Sequence, residues 1–253
     1  MSSLRIATYN IHKGVQGLGL RQRLEIHNLG IAVEQFDADI VCLQEVRKLH
    51  RRHAKRFANW PTVGQADFLA PPGYQAVYQS NAVTRHGEHG NALLSRWPVV
   101  EHRHEDMSDH RFEQRGLLHA EVIVDQQVLH VVVVHLGLLR ASRLRQMEQL
   151  GAYIQREIFP RHPVVVAGDF NEGAGLTQAV FPALGLLPAR NGPPHPPVTP
   201  TFPSRLPLLQ LDHVYARGLQ ATAVQVPRGR IWWRMSDHLP LIVDLAFDGG
   251  RKS

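Results

Sequence analysis

The sequence predicts an α/β fold in which two packed β-sheets carry helices on their outer faces. Three observations predict it. Short runs rich in Val and Ile recur along the chain, at lengths that suit strands. Few stretches show the three- and four-residue apolar spacing of a helix. From Asn91 to His135, strands follow one another without helices, which argues for antiparallel hairpins over a repeated βαβ unit. Many strands and few helices in one core give packed sheets with helices outside.

In chain order, strands are expected at LRIATY (4–9), DIVCLQ (39–44), YQAVYQ (74–79), NALLS (91–95), LHAEVIV (118–124), VLHVVVV (128–134), PVVVAG (163–168), LDHVYA (211–216) and LPLIVDLA (239–246). The clearest helices are Gln22 to Phe36 and Ser142 to Ile158. Asn191 to Pro207, NGPPHPPVTPTFPSRLP, is a long loop or extended edge segment, because proline removes backbone donors and blocks helix and central strand alike.

The 253 residues are 43% hydrophobic, enough for one large core, and a single domain over 1–253 is expected. Charged residues at 20% exclude a disordered composition. The net charge of +6 and a pI near 9.9 suit a polyanionic partner such as nucleic acid or phospholipid headgroups. The single cysteine, Cys42, excludes an intrachain disulfide and a thiolate metal cluster. MSSLRIATYN lacks the apolar stretch of a signal peptide, and no run reaches the roughly 18 apolar residues of a membrane span. A cytoplasmic monomer is the expectation, with contact to a membrane surface left open.

Polar residues at strand ends carry the chemistry. IATY ends in Asn10, IVCLQ in Glu45, VVVV in His135, and VVVAG in Asp169 with Asn171 beyond. LDHVYA opens with Asp212, and LPLIVDLA follows Ser236, Asp237 and His238. If the last two strands run opposite to the first four, these side chains gather at one edge of the sandwich. Like charges so placed repel unless a cation joins them. Oxygen ligands favour a hard ion, Mg²⁺ or Mn²⁺, and no HExxH spacing supports a zinc site. Singly, each residue reads as a turn, cap or solvated group; the ordered combination carries the functional reading.

TYNIHKG (8–14), LQEV (43–46), GNALLSR (90–96), RGLLHAEV (115–122), VVVVHLGL (131–138), AGDFN (167–171), LDHVY (211–215) and SDHLPL (236–241) occur in the order of a known family. Together they resemble the endonuclease/exonuclease/phosphatase (DNase I-like) superfamily across nearly the whole chain, most of all its small bacterial metal-dependent hydrolases. The resemblance implies a four-layer sandwich of two mixed, largely antiparallel sheets flanked by helices. It implies Glu45 as main metal ligand, with Asn10 and Asp237 supporting it. Asp169 and Asn171 would orient the attacking water and the phosphoryl oxygens, and Asp212 would fix the ring of His238. His238 would contact the scissile phosphate or exchange a proton with the water, and His135 would be a second phosphate contact or leaving-group acid; the resemblance leaves open whether Asp169 or His238 is the base. Arg115 and Asn91 fall in blocks that imply substrate contact.

The implied activity is Mg²⁺-dependent phosphodiester hydrolysis. The substrate, DNA or RNA or an anionic phospholipid, is left open. RKLHRRHAKR (47–56) places cations beside Glu45 and suits either backbone phosphates or headgroups. Trp232 and Trp233 stand just before the SDH block; one of them is expected to line the substrate mouth. A phosphomonoesterase of the inositol-phosphate type is less favoured, because extended lysine-bearing motifs are not found. A catalytically silent binding module is disfavoured because Glu45, Asp169, Asn171, Asp212, Asp237 and His238 are all present.

Overall fold

A computed structural model describes residues 3–173, 175–190 and 199–249. The chain runs β1 (Ser3–Asn10), β2 (Val15–Gln16), β3 (Arg23–Leu24), α1 (Ile26–Gln35), β4 (Ile40–Val46), α2 (Arg51–Arg56), α3 (Gln65–Leu69), β5 (Gln75–Thr84), β6 (Gly87–Ser95) and β7 (Val99–Asp106). It continues through β8 (Gly116–Val124), β9 (Gln127–His135), α4 (Arg140–Glu157), β10 (Val164–Asp169), α5 (Thr177–Val180), β11 (Leu187–Pro188), β12 (Asp212–Arg217), β13 (Leu219–Gln225), α6 (Trp232–Met235) and β14 (Leu241–Phe247).

Twelve of these strands form two six-stranded sheets, ordered β13-β14-β1-β4-β6-β5 and β11-β12-β10-β9-β8-β7. Strand pairing follows one scheme in both. A central parallel pair, β1 with β4 or β10 with β9, is flanked by antiparallel neighbours. Alternation along each strand sends one set of side chains between the sheets and the other outward. Ile6, Cys42, Leu93, Val131 and Val165 meet between the sheets. Ala7, Tyr9, Val41 and Leu43 face α1 and α3, while Val132, Val134 and Val166 face α4 and α5. With both faces covered, the strands read as continuous apolar runs. The result is the expected four-layer α/β sandwich.

All nine expected strands are present. The reading missed the edge strands β7 and β13 and the two-residue strands β2, β3 and β11. Exposed VVEHRHED and LQATAVQ lack the apolar runs of buried strands. The first expected helix starts later, at Ile26, because Arg23 and Leu24 pair with Gln16 and Val15. Of the basic run 47–56, only Arg51–Arg56 is helical. The segment 191–198 of the proline-rich stretch lies outside the described residues.

Two buried polar features tie this frame together. Asn91 on β6 is fully buried and donates from Nδ2 to the carbonyls of Gly116 (2.9 Å) and Val133 (3.2 Å), joining one sheet to the other. On the α4 side of the second sheet a chain of 2.9 Å hydrogen bonds links the Tyr153 hydroxyl, His119, His130 and His162. Burial pushes both His119 and His130 down to about 4, so the rings are neutral at pH 7.

Asn91→Ala is expected to destabilise the protein by about 2 kcal/mol, read as a lower urea midpoint at unchanged m-value. The histidine chain sets a pH dependence. The unfolded chain takes up these protons near about 6.5 and the folded chain only near 4, so stability is full above about 6.5 and is lost as the pH falls toward 4. The urea midpoint should drop as the pH falls from about 7 to about 4.5, a range that spans the ordinary histidine value, and drop less in a His119→Gln/His130→Gln variant.

Candidate active site

The shared pairing scheme brings the chemistry to one end. β1 and β4 run parallel and end in Asn10 and, one residue past its register partner Gln44, Glu45. β9 and β10 run parallel and place His135 beside Asp169. β12 is antiparallel to β10 and sets Asp212 opposite Asp169, while β14, antiparallel to β1, follows Asp237 and His238. The strand directions thus meet the condition set by the sequence.

Asp169 is the centre. It is 1% exposed. Its Oδ2 accepts from Asn10 Nδ2 at 3.0 Å and lies 3.6 Å from both His135 Nε2 and His238 Nε2. Its Oδ1 accepts from the Asn171 backbone at 2.9 Å. Behind His238, Asp212 Oδ2 pairs with Nδ1 at 2.8 Å. Gly168 makes this approach possible: a Cβ there would fall 1.9 Å from the Val134 carbonyl oxygen.

Backbone strain marks the same residues. His12 (φ 45°), Lys13 (φ 63°), Glu45 (φ 57°) and Asn171 (φ 51°) all adopt the left-handed region. Glu45 does so at a β-bulge, where the β4–β6 register shifts between Leu43 and Val46; the extra residue re-aims its side chain.

Two side chains that the sequence reading left without a role now appear. Lys13 Nζ lies 3.0 Å from Glu45 Oε2, and His12 Nδ1 lies 3.1 Å from Asp237 Oδ1. The signal was present in TYNIHKG, where two basic residues follow closely on Asn10, but only the folded turn shows that each meets a carboxylate. Burial pushes Glu45 up, yet Lys13, His135 and His12 outweigh it and hold its carboxyl below the usual range. Asp237 is likewise held down against burial by His12.

The two histidines beside Asp169 are pushed apart. Burial lowers His135 to about 4, helped by Arg115, so its ring is neutral. Burial also lowers His238, but Asp212 and Asp169 reverse the effect and hold it up to about 10. One end of the sandwich therefore offers a neutral imidazole and an imidazolium around a shared carboxylate.

A strap completes the frame. Thr201 accepts from the Leu239 amide at 2.8 Å through its carbonyl, and Ser204 donates from its backbone to the Asp237 carbonyl at 2.7 Å. Ser236 Oγ donates to the Asn10 carbonyl at 2.6 Å, and the Phe202 ring lies 4.9 Å from that of His238. The TFPS portion of the proline-rich stretch thus holds Asp237 and His238 in place.

The other expected residues make their hydrogen bonds and ring contacts outside the Asp169 cluster. Arg115 donates to Leu136 O, Gln114 O and Glu113, bracing the backbone beyond His135. Asn91 is the inter-sheet tie described above, with only its Oδ1 free of a partner among the described residues. The tryptophans occupy one helical turn. Trp232 stacks on Phe36 at 5.9 Å and packs with the α1 core; Trp233 lies under the Arg205 guanidinium at 4.8 Å.

Ligand atoms of Asp169, Asp212 and His238 lie within 4.8 Å of one another, and Asp212 Oδ1 is buried with no partner among the described residues. With Glu45, Asp237 and the Asn10 amide oxygen nearby, the donors are mostly oxygen and fit a hard divalent cation.

Comparison with known proteins agrees with this geometry. The profile of the Endonuclease/Exonuclease/phosphatase family matches residues 7–238. Uncharacterized protein YbhP of Escherichia coli (strain K12) is 36% identical over 257 residues, covering 96% of each chain. The crystal structure of an endonuclease/exonuclease/phosphatase from Beutenbergia cavernae DSM 12333 superposes with a TM-score of 0.78 at 22% identity, over 99% of this chain and 73% of that one. A mannosyl-6-phosphatase of Bacteroides thetaiotaomicron VPI-5482 gives 0.69 at 17% identity, over 96% of this chain and all of its own. With its strand order, its clustered strand-end residues and these matches, the chain belongs to the Endonuclease/Exonuclease/phosphatase family.

Proposed function

We propose that this chain is a Mg²⁺-dependent phosphodiesterase, with Mn²⁺ able to replace Mg²⁺, acting by water attack at the Asp169 end of the sandwich. The observation that carries the reading is the convergence of Asn10, Asn171, His135 and His238 on one buried carboxylate, with Asp212 behind His238. A structural carboxylate needs partners, but it does not need two histidines of opposite protonation state facing it.

Asp169 is the base. It takes a proton from water as the water oxygen bonds to phosphorus and the ester P–O bond breaks; the leaving oxygen departs as the alcohol, taking its proton from solvent. Asn10 and the Asn171 backbone hold its two oxygens in register. His238 donates from Nε2 to a phosphoryl oxygen, with Asp212 fixing its ring as carboxylate–imidazole pairs do. His135 is the second phosphate contact. Glu45, Asn10 and Asp237 would hold a divalent ion, which would supply positive charge against the anionic diester and its transition state. Lys13 and His12 hold these two carboxylates ionised.

His238→Ala and Asp169→Asn should each lower kcat on a soluble diester such as bis-p-nitrophenyl phosphate by about 10³-fold, with near-UV circular dichroism unchanged. Native turnover by either variant would remove that residue from the mechanism. Asp212→Asn should cost about 10²-fold or more in kcat with a smaller change in KM, because it alters the ring of His238 and not the contacts to substrate. EDTA should abolish turnover and Mg²⁺ or Mn²⁺ restore it; restoration by Zn²⁺ alone would reject the hard-ion assignment.

A further inference from the structure

The loops around the catalytic end combine protruding aliphatic side chains with arginines. Leu18 and Leu20, 89% and 96% exposed, sit on the turn between β2 and β3, directly after the turn that carries His12 and Lys13. Arg56 of α2 ties this turn down, donating to the Gly19 carbonyl at 2.8 Å and to Gln22 Oε1 at 2.9 Å. The leucines are therefore held out on a braced loop. α2, with exposed Arg51, Arg52 and Lys55, follows the strand that bears Glu45.

The neighbouring segments repeat the combination: α6 lies against β2 and is joined to the strap through Trp233 and Arg205. Leu206 and Leu208, both about two-thirds exposed, continue the strap that holds Asp237, and Arg205 beside them lies over Trp233. Ile231, 72% exposed, precedes Trp232 and Trp233, with exposed Arg230 and Arg234 on either side.

Charge is one-sided in the same places. Residues 12–24, 46–66, 199–211 and 213–236 contain Lys and Arg and no Asp or Glu. Exposed leucine is ordinary when scattered; exposed aliphatics on three segments that adjoin one another next to Asp237 and His238, interleaved with cations, are not. Cations alone would serve a nucleic-acid backbone. The aliphatic side chains would bury nothing against a phosphate backbone, whereas a bilayer takes both, with aliphatics at the acyl boundary and arginines at the headgroup phosphates.

We propose that the catalytic end of this protein docks on an anionic phospholipid bilayer, with Leu18, Leu20, Leu206, Leu208 and Ile231 entering the headgroup region and the neighbouring arginines binding lipid phosphates. The inference rests on the hydrolytic reading above for which end is catalytic, and it makes membrane phosphodiesters the substrate class that reaches Asp169.

The test is flotation of the full chain with vesicles of phosphatidylcholine containing about 30% phosphatidylglycerol, and with phosphatidylcholine alone, in EDTA. Binding is expected on the anionic vesicles, weaker on the neutral ones, and reduced about tenfold or more in Leu18→Ser/Leu20→Ser and in Leu206→Ser/Leu208→Ser. Equal binding to neutral vesicles would overturn the anionic assignment. No flotation, or flotation unchanged in both double variants, would overturn the docking surface. Tighter binding to duplex DNA than to vesicles, with the leucines irrelevant, would assign the face to nucleic acid instead. Because EDTA excludes turnover from the readout, failure here leaves the hydrolytic reading standing, and failure of that reading in the soluble assay leaves the vesicle result interpretable.

Discussion

A carboxylate removed from water is costly unless donors and cations surround it, and in this protein that constraint falls on Asp169. Its partners come from both sheets: Asn10 and His238 from the first, His135 from the second, with Asp212 reaching across behind His238. No single element could assemble this set. The packing of one sheet on the other is therefore also the closing of the site, and the inter-sheet tie at Asn91 serves both.

The two sheets solve the same problem with the same pairing scheme. Each has a parallel pair at its centre, whose strands end together, and an antiparallel neighbour that begins where they end. Carboxylates, amides and imidazoles placed at those ends meet without long loops. Local strain at Glu45, Asn171 and the 12–14 turn then aims the side chains, and the apolar layers on both faces of each sheet hold the backbone against it.

Around this rigid centre the loops have different work. The 17–21 turn, the strap beyond Thr201 and the 228–234 segment carry the exposed aliphatic and basic residues; the strap is anchored on Asp237 itself, while the 17–21 turn is held by Arg56 of α2. Loops held by a rigid scaffold are where substrate choice resides in such folds.

The apolar runs were enough to read two packed sheets, and the polar residues at their ends the cluster of Asn10, Glu45, His135, Asp169, Asp212 and His238, because buried strands leave a sharp apolar pattern and a polar residue at its end stands out. The family and the four-layer arrangement were read from the resemblance of the ordered blocks from TYNIHKG to SDHLPL. Edge strands β7 and β13 were invisible because exposed strands need no such pattern. The partners of Lys13 and His12, the bracing of Arg115, the burial of Asn91 and the packing of Trp232 on Phe36 were decided by tertiary structure alone. Each depends on which distant backbone lies alongside, and a side chain's type says what it can bind but not what the fold will set beside it.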